Sequence, residues 1–223
     1  NDFKLLDYKD DDGVLVEPEY YMPIIPMILI NGSTGIGTGW STEIPCFNPK
    51  DIIANILNII NNKDYIELIP YYRGFTGTIE KIGDKQFKSN GKYHFKKDDV
   101  LVIEELPIGV WTDKYKEYLE SITIDGKNDN KKQFIRYYNS YCSDQKVHFE
   151  IYLSKDNKME KICSNKEKLE KLFKLSSTIN TGNMVTHTRD CKLNKYNNVE
   201  EILKEFIDIR LEYYQKRKDF MLG

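Results

Sequence analysis

The sequence lacks the long apolar segments of a membrane protein. No hydrophobic run among its 223 residues approaches the roughly 18 residues that a membrane-spanning helix needs, and the longest, residues 24–30, is interrupted by Pro26. No signal or transit peptide is recognisable at the start, which has no initiator methionine. We therefore expect an intracellular piece of a longer protein that has no membrane partner.

Cysteine and histidine are sparse and scattered along the chain. Disulfide frameworks and metal centres require these residues in pairs or at short, defined spacings, which are absent here. Free thiols at wide spacing are typical of a reducing compartment. We therefore predict no metal site and no disulfide framework among the four cysteines and three histidines: Cys46, Cys142, Cys163, Cys191, His94, His148 and His187.

A strong net charge is also missing. The formal charge of −2 excludes a uniformly cationic nucleic-acid binder. The charges are nevertheless segregated, with acidic residues near the start and lysines in a later stretch. Such a stretch is either a solvated face or a local phosphate-contacting surface, and both remain open. The lysines are Lys81, Lys85, Lys88, Lys92, Lys96 and Lys97.

Hydrophobic periodicity predicts helices and strands in the first half of the chain. Residues 23–30 are typical of a buried strand, which leads directly into a glycine-rich loop at residues 31–40. Asn48 is a good N-cap, so we predict a helix that begins at Pro49 and ends at Asn61 and Asn62. Residues 76–82 and 100–103 are typical of strands, and residues 89–91 of a hairpin turn.

The second half continues this irregular alternation. Thr112 can cap a helix through residue 122, residues 146–153 alternate as a strand does, and Ser164 can cap a helix through residue 175. Because helices and strands interleave without a regular order, the predicted fold class is α+β.

Asn198 can cap a last helix that runs from Val199 to the end of the chain. Its apolar residues recur with alternating spacings of four and three, interrupted by Lys216. The helix is either a terminal core helix or the first arm of an antiparallel coiled coil whose partner is missing. The residues of this heptad stripe are Val199, Ile202, Phe206, Ile209, Tyr213 and Phe220.

The order strand, glycine loop, helix is also the outline of a nucleotide site. A Walker loop needs lysine and then serine or threonine after its last glycine, whereas Gly37 is followed by Thr38 and Gly39. A dinucleotide fingerprint needs a helix that begins within the glycines, and residues 40–45 intervene here. Phosphate binding by this loop is therefore disfavoured.

Ile36 is a bulky apolar residue between Gly35 and Gly37. It can fold back into the core, which is the commoner fate of an isoleucine. It can also form an exposed wedge of the kind that enters a DNA base step from the minor groove. The residues alone do not decide between these alternatives.

Residues 16–45, VEPEYYMPIIPMILINGSTGIGTGWSTEIP, closely resemble eukaryotic topoisomerase II just after its catalytic tyrosine. Later segments resemble the same family in the same order, at residues 75–80, 105–107, 111–112, 115–117 and 203–222. Bacterial gyrase A subunits carry AVGMA where this chain has GTGWS at residues 37–41. The resemblance therefore indicates the nuclear form.

The resemblance implies roles for particular residues and segments. Residues 1–48 would end the DNA-gate core, 49–195 would form the tower, and 196–223 would begin the coiled-coil arm. Ile36 matches the residue that enters and bends the gate DNA, and Thr38, Trp40 and Ser41 would lie near that contact. The expected DNA-binding residues are Ile36, Thr38, Trp40, Ser41, Arg73 and Lys97.

The resemblance also implies the chemistry of the intact enzyme. That enzyme is a nuclear homodimer that uses ATP and Mg²⁺ to pass one DNA duplex through a transient double-strand break in another. Its nucleophilic tyrosine is expected upstream of Asn1, so we predict no catalytic residue and no bound cofactor in this chain. In the family this tyrosine follows an arginine on a winged-helix domain. Arg136-Tyr137 reproduces the dipeptide but follows the predicted tower helix, so we do not assign it this role. The alternative is a non-catalytic DNA-bending or scaffold module on the same fold.

Overall fold

The computed structural model describes residues 2–123, 134–155 and 157–223. Its mixed helices and strands confirm the predicted α+β class. After a short 3₁₀ helix (Phe3–Leu5), the elements are β1 (Tyr8–Asp11), β2 (Val14–Pro18), α1 (Met27–Asn31), β3 (Ser33–Gly37), β4 (Trp40–Ile44), α2 (Pro49–Ile60), β5 (Thr78–Gly83), β6 (Gln86–Asn90), β7 (Lys92–Lys97) and β8 (Val100–Glu105). They continue with α3 (Thr112–Ser121), β9 (Ile135–Ser140), β10 (Phe149–Leu153), α4 (Asn157–Cys163), α5 (Lys166–Leu172), β11 (Ser176–Asn180), β12 (Met184–His187), β13 (Leu193–Tyr196) and α6 (Val199–Leu222).

The chain forms two compact units, and the first is discontinuous in sequence. It contains Asn1–Tyr71 and Asn180–Gly223, and the second contains Tyr72–Ile179. These boundaries differ from the segments 1–48, 49–195 and 196–223 expected from the sequence. The reason is that Ile52 of α2 and Met184 of β12 are buried in one apolar cluster with Leu29 and Leu203.

The first unit combines three antiparallel hairpins, β1–β2, β3–β4 and β12–β13, with α1, α2 and α6. Its core draws apolar residues from both ends of the chain, which ties the two segments into one folded body. The buried residues of this core are Leu29, Ile44, Phe47, Ile52, Leu68, Met184, Tyr196, Val199, Ile202 and Leu203.

The prediction of a strand at residues 23–30 is wrong. Met27–Asn31 forms the short helix α1, with Pro26 at its N-cap. Pro23 and Pro26 carry no N–H for a strand ladder, whereas the position before a helix tolerates proline. In this helix only Leu29 is fully buried, and its carbonyl oxygen accepts a bond from Phe47 N at 2.8 Å.

The second unit contains a four-stranded sheet, β7-β8-β10-β9, and a three-stranded sheet, β11-β6-β5. The predicted strand at residues 100–103 is confirmed, and these residues form the buried part of β8. The hairpin turn predicted at residues 89–91 is wrong, because β6 and β7 belong to different sheets. Gly91 is required there for a close approach, since a Cβ would lie 2.4 Å from the carbonyl oxygen of Glu105.

Two of the four predicted N-caps are confirmed. The side chain of Asn48 accepts a bond from Lys50 N at the start of α2, and that of Asn198 from Glu201 N at the start of α6. The other two are wrong by one residue. Trp111 precedes α3, which ends at residue 121, and Asn165 caps α5, which ends at residue 172. Asparagine offers the side-chain acceptor that a helix start favours.

The first half of the terminal helix α6 packs in the core of its own unit, which favours the core-helix alternative for that half. Its buried residues include Val199 and Ile202 of the predicted stripe, together with Leu203 and Ile207. Tyr213 is also buried and shares a hydrogen bond of 2.7 Å with the hydroxyl of Tyr20. Beyond Tyr213 the helix is largely exposed. Within the described parts of the chain, no helix combines the length and apolar character needed to cross a membrane.

Candidate functional site

The glycine-rich segment is a β-hairpin and not the loop predicted from the sequence. Strands β3 and β4 pair antiparallel, with Gly37 opposite Trp40 and Ile36 opposite Ser41. Thr38 and Gly39 form the turn, and Gly39 takes the left-handed conformation at a φ of +87°. Glycine adopts this conformation without steric cost, so its position explains where the chain reverses.

The two faces of the hairpin differ in chemistry. Thr42 and Ile44 are buried on the inner face, where β3 contributes Gly35 and Gly37. The outer face carries Ile36 opposite Ser41, and the Ile36 side chain is 92% exposed. The alternative of a core isoleucine is therefore wrong. Strand alternation places Ile36 away from the core once its glycine neighbours point inward.

The other residues of the hairpin tip divide between the faces. Thr38 is exposed at the turn. Trp40 lies opposite Gly37, and a Cβ added to Gly37 would lie 2.9 Å from its Nε1 atom. The indole therefore packs over Gly37, on the face opposite Ile36 and Ser41. The structure brings all four hairpin candidates together, with only Ile36 and Ser41 on the same face.

The base of the hairpin is anchored in the core of the first unit. Gly32 precedes β3 at a φ of +66°, and a Cβ there would lie 2.7 Å from Ile44 O. Ile44 and Phe47 are buried in the apolar cluster of this unit. The Cys46 thiol donates to Asn31 O at 3.2 Å, and burial raises the pKa of this thiol. The hairpin thus has a fixed base and an exposed tip.

Asn183 and Thr42 hold β4 from the side, and sequence reasoning missed both. The Asn183 amide donates to Ser41 O at 3.0 Å and to Ser41 Oγ at 2.9 Å. Thr42 Oγ1 donates to Val185 O at 2.7 Å and accepts from Val185 N at 3.1 Å. No local pattern could reveal Asn183, because it lies 142 positions from Ser41 in the chain.

Arg73 and Lys97 belong to the second unit, unlike the four hairpin candidates. Both are exposed, and neither forms an ion pair with any residue that the structure describes. Several neighbouring lysines are instead bonded to carboxylates, which favours the interpretation of a solvated, ion-paired face for much of this stretch. These pairs are Lys88–Glu170, Lys92–Glu104 and Lys96–Glu150.

The Arg136-Tyr137 dipeptide lies in β9 of the second unit. Arg136 donates to Asp99 Oδ2 at 2.6 Å, and the Tyr137 ring stacks on Tyr152 with 4.2 Å between centroids. Both side chains therefore have structural partners. In the described parts of the chain, no three His, Cys, Asp or Glu side chains converge as a metal site would require.

The hairpin presents a chemically simple tip. An apolar side chain projects from a narrow two-stranded ribbon, beside the hydroxyl groups of Thr38 and Ser41. Because Asn183 donates to Ser41 Oγ, the Ser41 hydroxyl retains its own proton for an outside acceptor. An apolar wedge flanked by hydrogen-bond donors can enter a stack of planar groups beside an anionic backbone.

Comparison with known proteins identifies the family. Residues 1–223 match the family model that describes the A subunit of DNA gyrase/topoisomerase IV. The chain is 42% identical over 223 residues to DNA topoisomerase 2 of Arabidopsis thaliana, covering 98% of this chain and 15% of that protein. It is 45% identical over 220 residues to DNA topoisomerase 2 of Saccharomyces cerevisiae, covering 99% of this chain and 15% of that protein.

A solved structure agrees with these matches. The crystal structure of the Plasmodium falciparum topoisomerase II DNA-binding, cleavage and re-ligation domain matches with a TM-score of 0.92 at 41% identity, covering 99% of this chain and 29% of that chain. The chain spans about 15% of the length of the curated relatives it matches. It therefore belongs to the family of DNA gyrase and topoisomerase IV A subunits, within which it corresponds to part of a eukaryotic-type topoisomerase II.

Proposed function

We propose that this chain is the DNA-binding and DNA-bending part of a type IIA topoisomerase, which passes one duplex through a transient double-strand break in another. The observation that carries the proposal is the position of Ile36. Its side chain is 92% exposed at the tip of a hairpin whose base is buried. Transfer of such an exposed apolar side chain from water into contact with a partner is favourable in free energy.

Insertion of the Ile36 side chain between two stacked base pairs would bury it in this way. Unstacking one step costs a few kcal/mol, and burying an isoleucine side chain returns about 1.5–3 kcal/mol. The hydroxyl of Ser41 lies on the same face and can donate to a phosphate beside the opened step. Glu43 shares this outer face further from the tip, and its carboxylate would repel phosphate. The contact is therefore confined to the tip.

The second unit would serve as the tower that extends the DNA-binding surface. Arg73 and Lys97 are exposed cations in this unit, and neither has an ion-pair partner among the described residues. A cation without a carboxylate partner can neutralise a phosphate and release its counterion. We therefore assign phosphate contacts to Arg73 and Lys97 in preference to the ion-paired lysines nearby.

The remaining chemistry is assigned to other parts of the intact protein, a nuclear homodimer by family resemblance. No group of three potential ligands converges among the described residues, so they do not fit a Mg²⁺ site. The glycine-rich segment is a hairpin and does not lead into a helix N-terminus, so it does not fit the phosphates of ATP. The nucleophilic tyrosine is likewise assigned to another part of the protein. Both residues of the Arg136-Tyr137 dipeptide have structural partners here, since Arg136 donates to Asp99 and Tyr137 stacks on Tyr152.

Base unstacking tests this proposal directly. 2-Aminopurine, whose fluorescence rises when it is unstacked, is placed at successive positions of a duplex that is bound by the full-length protein. We expect one step to brighten with the wild type and to stay dark with Ile36→Ala. Equal brightening by both proteins would refute the wedge. Unstacking without relaxation of supercoiled DNA in ATP and Mg²⁺ would indicate a non-catalytic bending module.

A further inference from the structure

The hairpin that carries Ile36 is supported from the side as well as at its base. We propose that Asn183 is a positioning residue for DNA bending, which holds the strand opposite Ile36 so that the tip does not yield when it enters the duplex. This inference rests on the proposed function of Ile36. It adds a residue from the far end of the chain to that function.

The contact lies at the level of the wedge. Ser41 is the direct cross-strand partner of Ile36. The Asn183 amide donates to both the carbonyl oxygen and the hydroxyl of Ser41, at 3.0 and 2.9 Å. One side chain therefore fixes both the backbone and the side chain of the residue opposite Ile36.

Some backbone groups of β4 are not bonded by β3 and need hydrogen-bond partners outside the hairpin. Gly37 and Trp40 form the pair that closes the turn. Because hydrogen-bonded and non-hydrogen-bonded pairs alternate along antiparallel strands, the backbone N–H and C=O groups of Ser41 and Glu43 point away from β3. Asn183 bonds to both residues. Its side-chain amide donates to Ser41 O, and its backbone carbonyl oxygen accepts from Glu43 N at 2.9 Å. Thr42 adds a reciprocal pair of bonds with Val185.

The support itself is fixed in the core. Met184 directly follows Asn183, is fully buried, and belongs to the same apolar cluster as Ile44 and Phe47. Strand β3, by contrast, presents Gly35 and Gly37 to the inner face. Glycine leaves the backbone more conformational freedom than any other residue. The lateral bonds of β4 therefore compensate for a flexible first strand.

Rigidity matters because bending places a load on the tip. Smooth bending of a duplex stores elastic free energy that acts back on the wedge. If the hairpin is displaced by this force, the elastic free energy is released and the duplex stays straight. We expect the loss of the Asn183 side chain to lower the ratio of bent to straight DNA about tenfold, which corresponds to the loss of one to two neutral hydrogen bonds.

The test uses the full-length protein and a duplex labelled for energy transfer at both ends. Asn183→Ala removes both bonds to Ser41 without changing charge. Asn58→Ala is the matched control, because Asn58 is partly exposed on α2 and its side chain has no partner among the described residues. We expect a tenfold loss of bending for Asn183→Ala and none for Asn58→Ala. In an Ile36→Ala background, Asn183→Ala should cause no further loss.

Trp40 supplies a second readout that a general loss of stability would not change. The chain has two tryptophans, and Trp111→Phe leaves Trp40 at the hairpin tip as the single reporter. With Asn183→Ala, we expect a lower fluorescence anisotropy of Trp40 at an unchanged melting temperature. Thr42→Val, which removes the hydroxyl bonded to Val185, should act in the same direction. Asn183→Leu keeps the side-chain volume but cannot donate to Ser41, and it replaces Asn183→Ala if that variant does not fold.

The outcomes separate this inference from the proposed function. Bending within twofold of the wild type in the folded variant, or an equal further loss in the Ile36→Ala background, overturns the role of Asn183. Unchanged Trp40 anisotropy overturns it as well. If Ile36→Ala itself leaves bending intact, the wedge proposal fails independently of Asn183.

Discussion

Truncation of Ile36 should separate folding from DNA bending. Because the side chain is 92% exposed, Ile36→Ala removes almost no buried surface. We expect the free energy of unfolding to change by no more than about 0.5 kcal/mol, as for other surface substitutions. A buried isoleucine behaves differently, since truncation in a core costs about 2–5 kcal/mol. Ile52 is fully buried in the same unit and provides that comparison.

The effect on DNA should be much larger than the effect on folding. Ile36→Ala removes three carbon atoms, each worth about 0.8 kcal/mol when fully buried. Incomplete enclosure in a base step reduces the sum to about 2 kcal/mol, or about thirtyfold in the ratio of bent to straight DNA. Ile24, which is 73% exposed in the same unit, provides the matched control. Ile24→Ala should leave bending unchanged.

Melting curves and energy-transfer measurements on the same preparations decide the question. The expected pattern is a stable Ile36→Ala protein that fails to bend, an Ile24→Ala protein that bends normally, and an Ile52→Ala protein that melts early. Loss of stability in Ile36→Ala with unchanged bending would show that the reasoning is wrong. So would an equal loss of bending in Ile24→Ala, because an exposed isoleucine elsewhere would then suffice.

Two further predictions concern charge. Burial would raise the pKa of Asp2, but hydrogen bonds from Arg210 and Arg217 outweigh it and hold this pKa below its ordinary value of 3.8. The stabilising contribution is therefore complete above pH 3.8 and is lost as the pH falls through the lower value in the folded state. Asp2→Asn should cost about 2 kcal/mol at neutral pH, the contribution of hydrogen bonds to a charged group, and should remove this acid sensitivity in urea titrations. An unchanged pH profile would contradict the assignment. Replacing Arg73 or Lys97 with alanine should reduce the salt slope of DNA binding by about one each, whereas an unaltered slope would exclude that residue as a phosphate contact.

Local signals in the sequence were enough to predict several elements. Asn48 and Asn198 were identifiable as N-caps because a cap depends on a side chain and the next two or three residues. The buried strand at residues 100–103 was evident from its continuous apolar run. Family membership was also accessible, because residues 16–45 form a motif whose order of residue types is highly specific.

Other features depend on distant partners and became visible only in the folded chain. The exposure of Ile36 follows from the register of β3 with β4, and a shift of one residue would turn its side chain towards the core. Gly91 separates two sheets instead of closing a hairpin, because the Glu105 carbonyl lies close behind it. The α6 stripe gains its partners only when the two ends of the chain meet in one core. Asn183 reaches Ser41 across 142 positions, and no periodicity or cap can predict a contact made by folding alone.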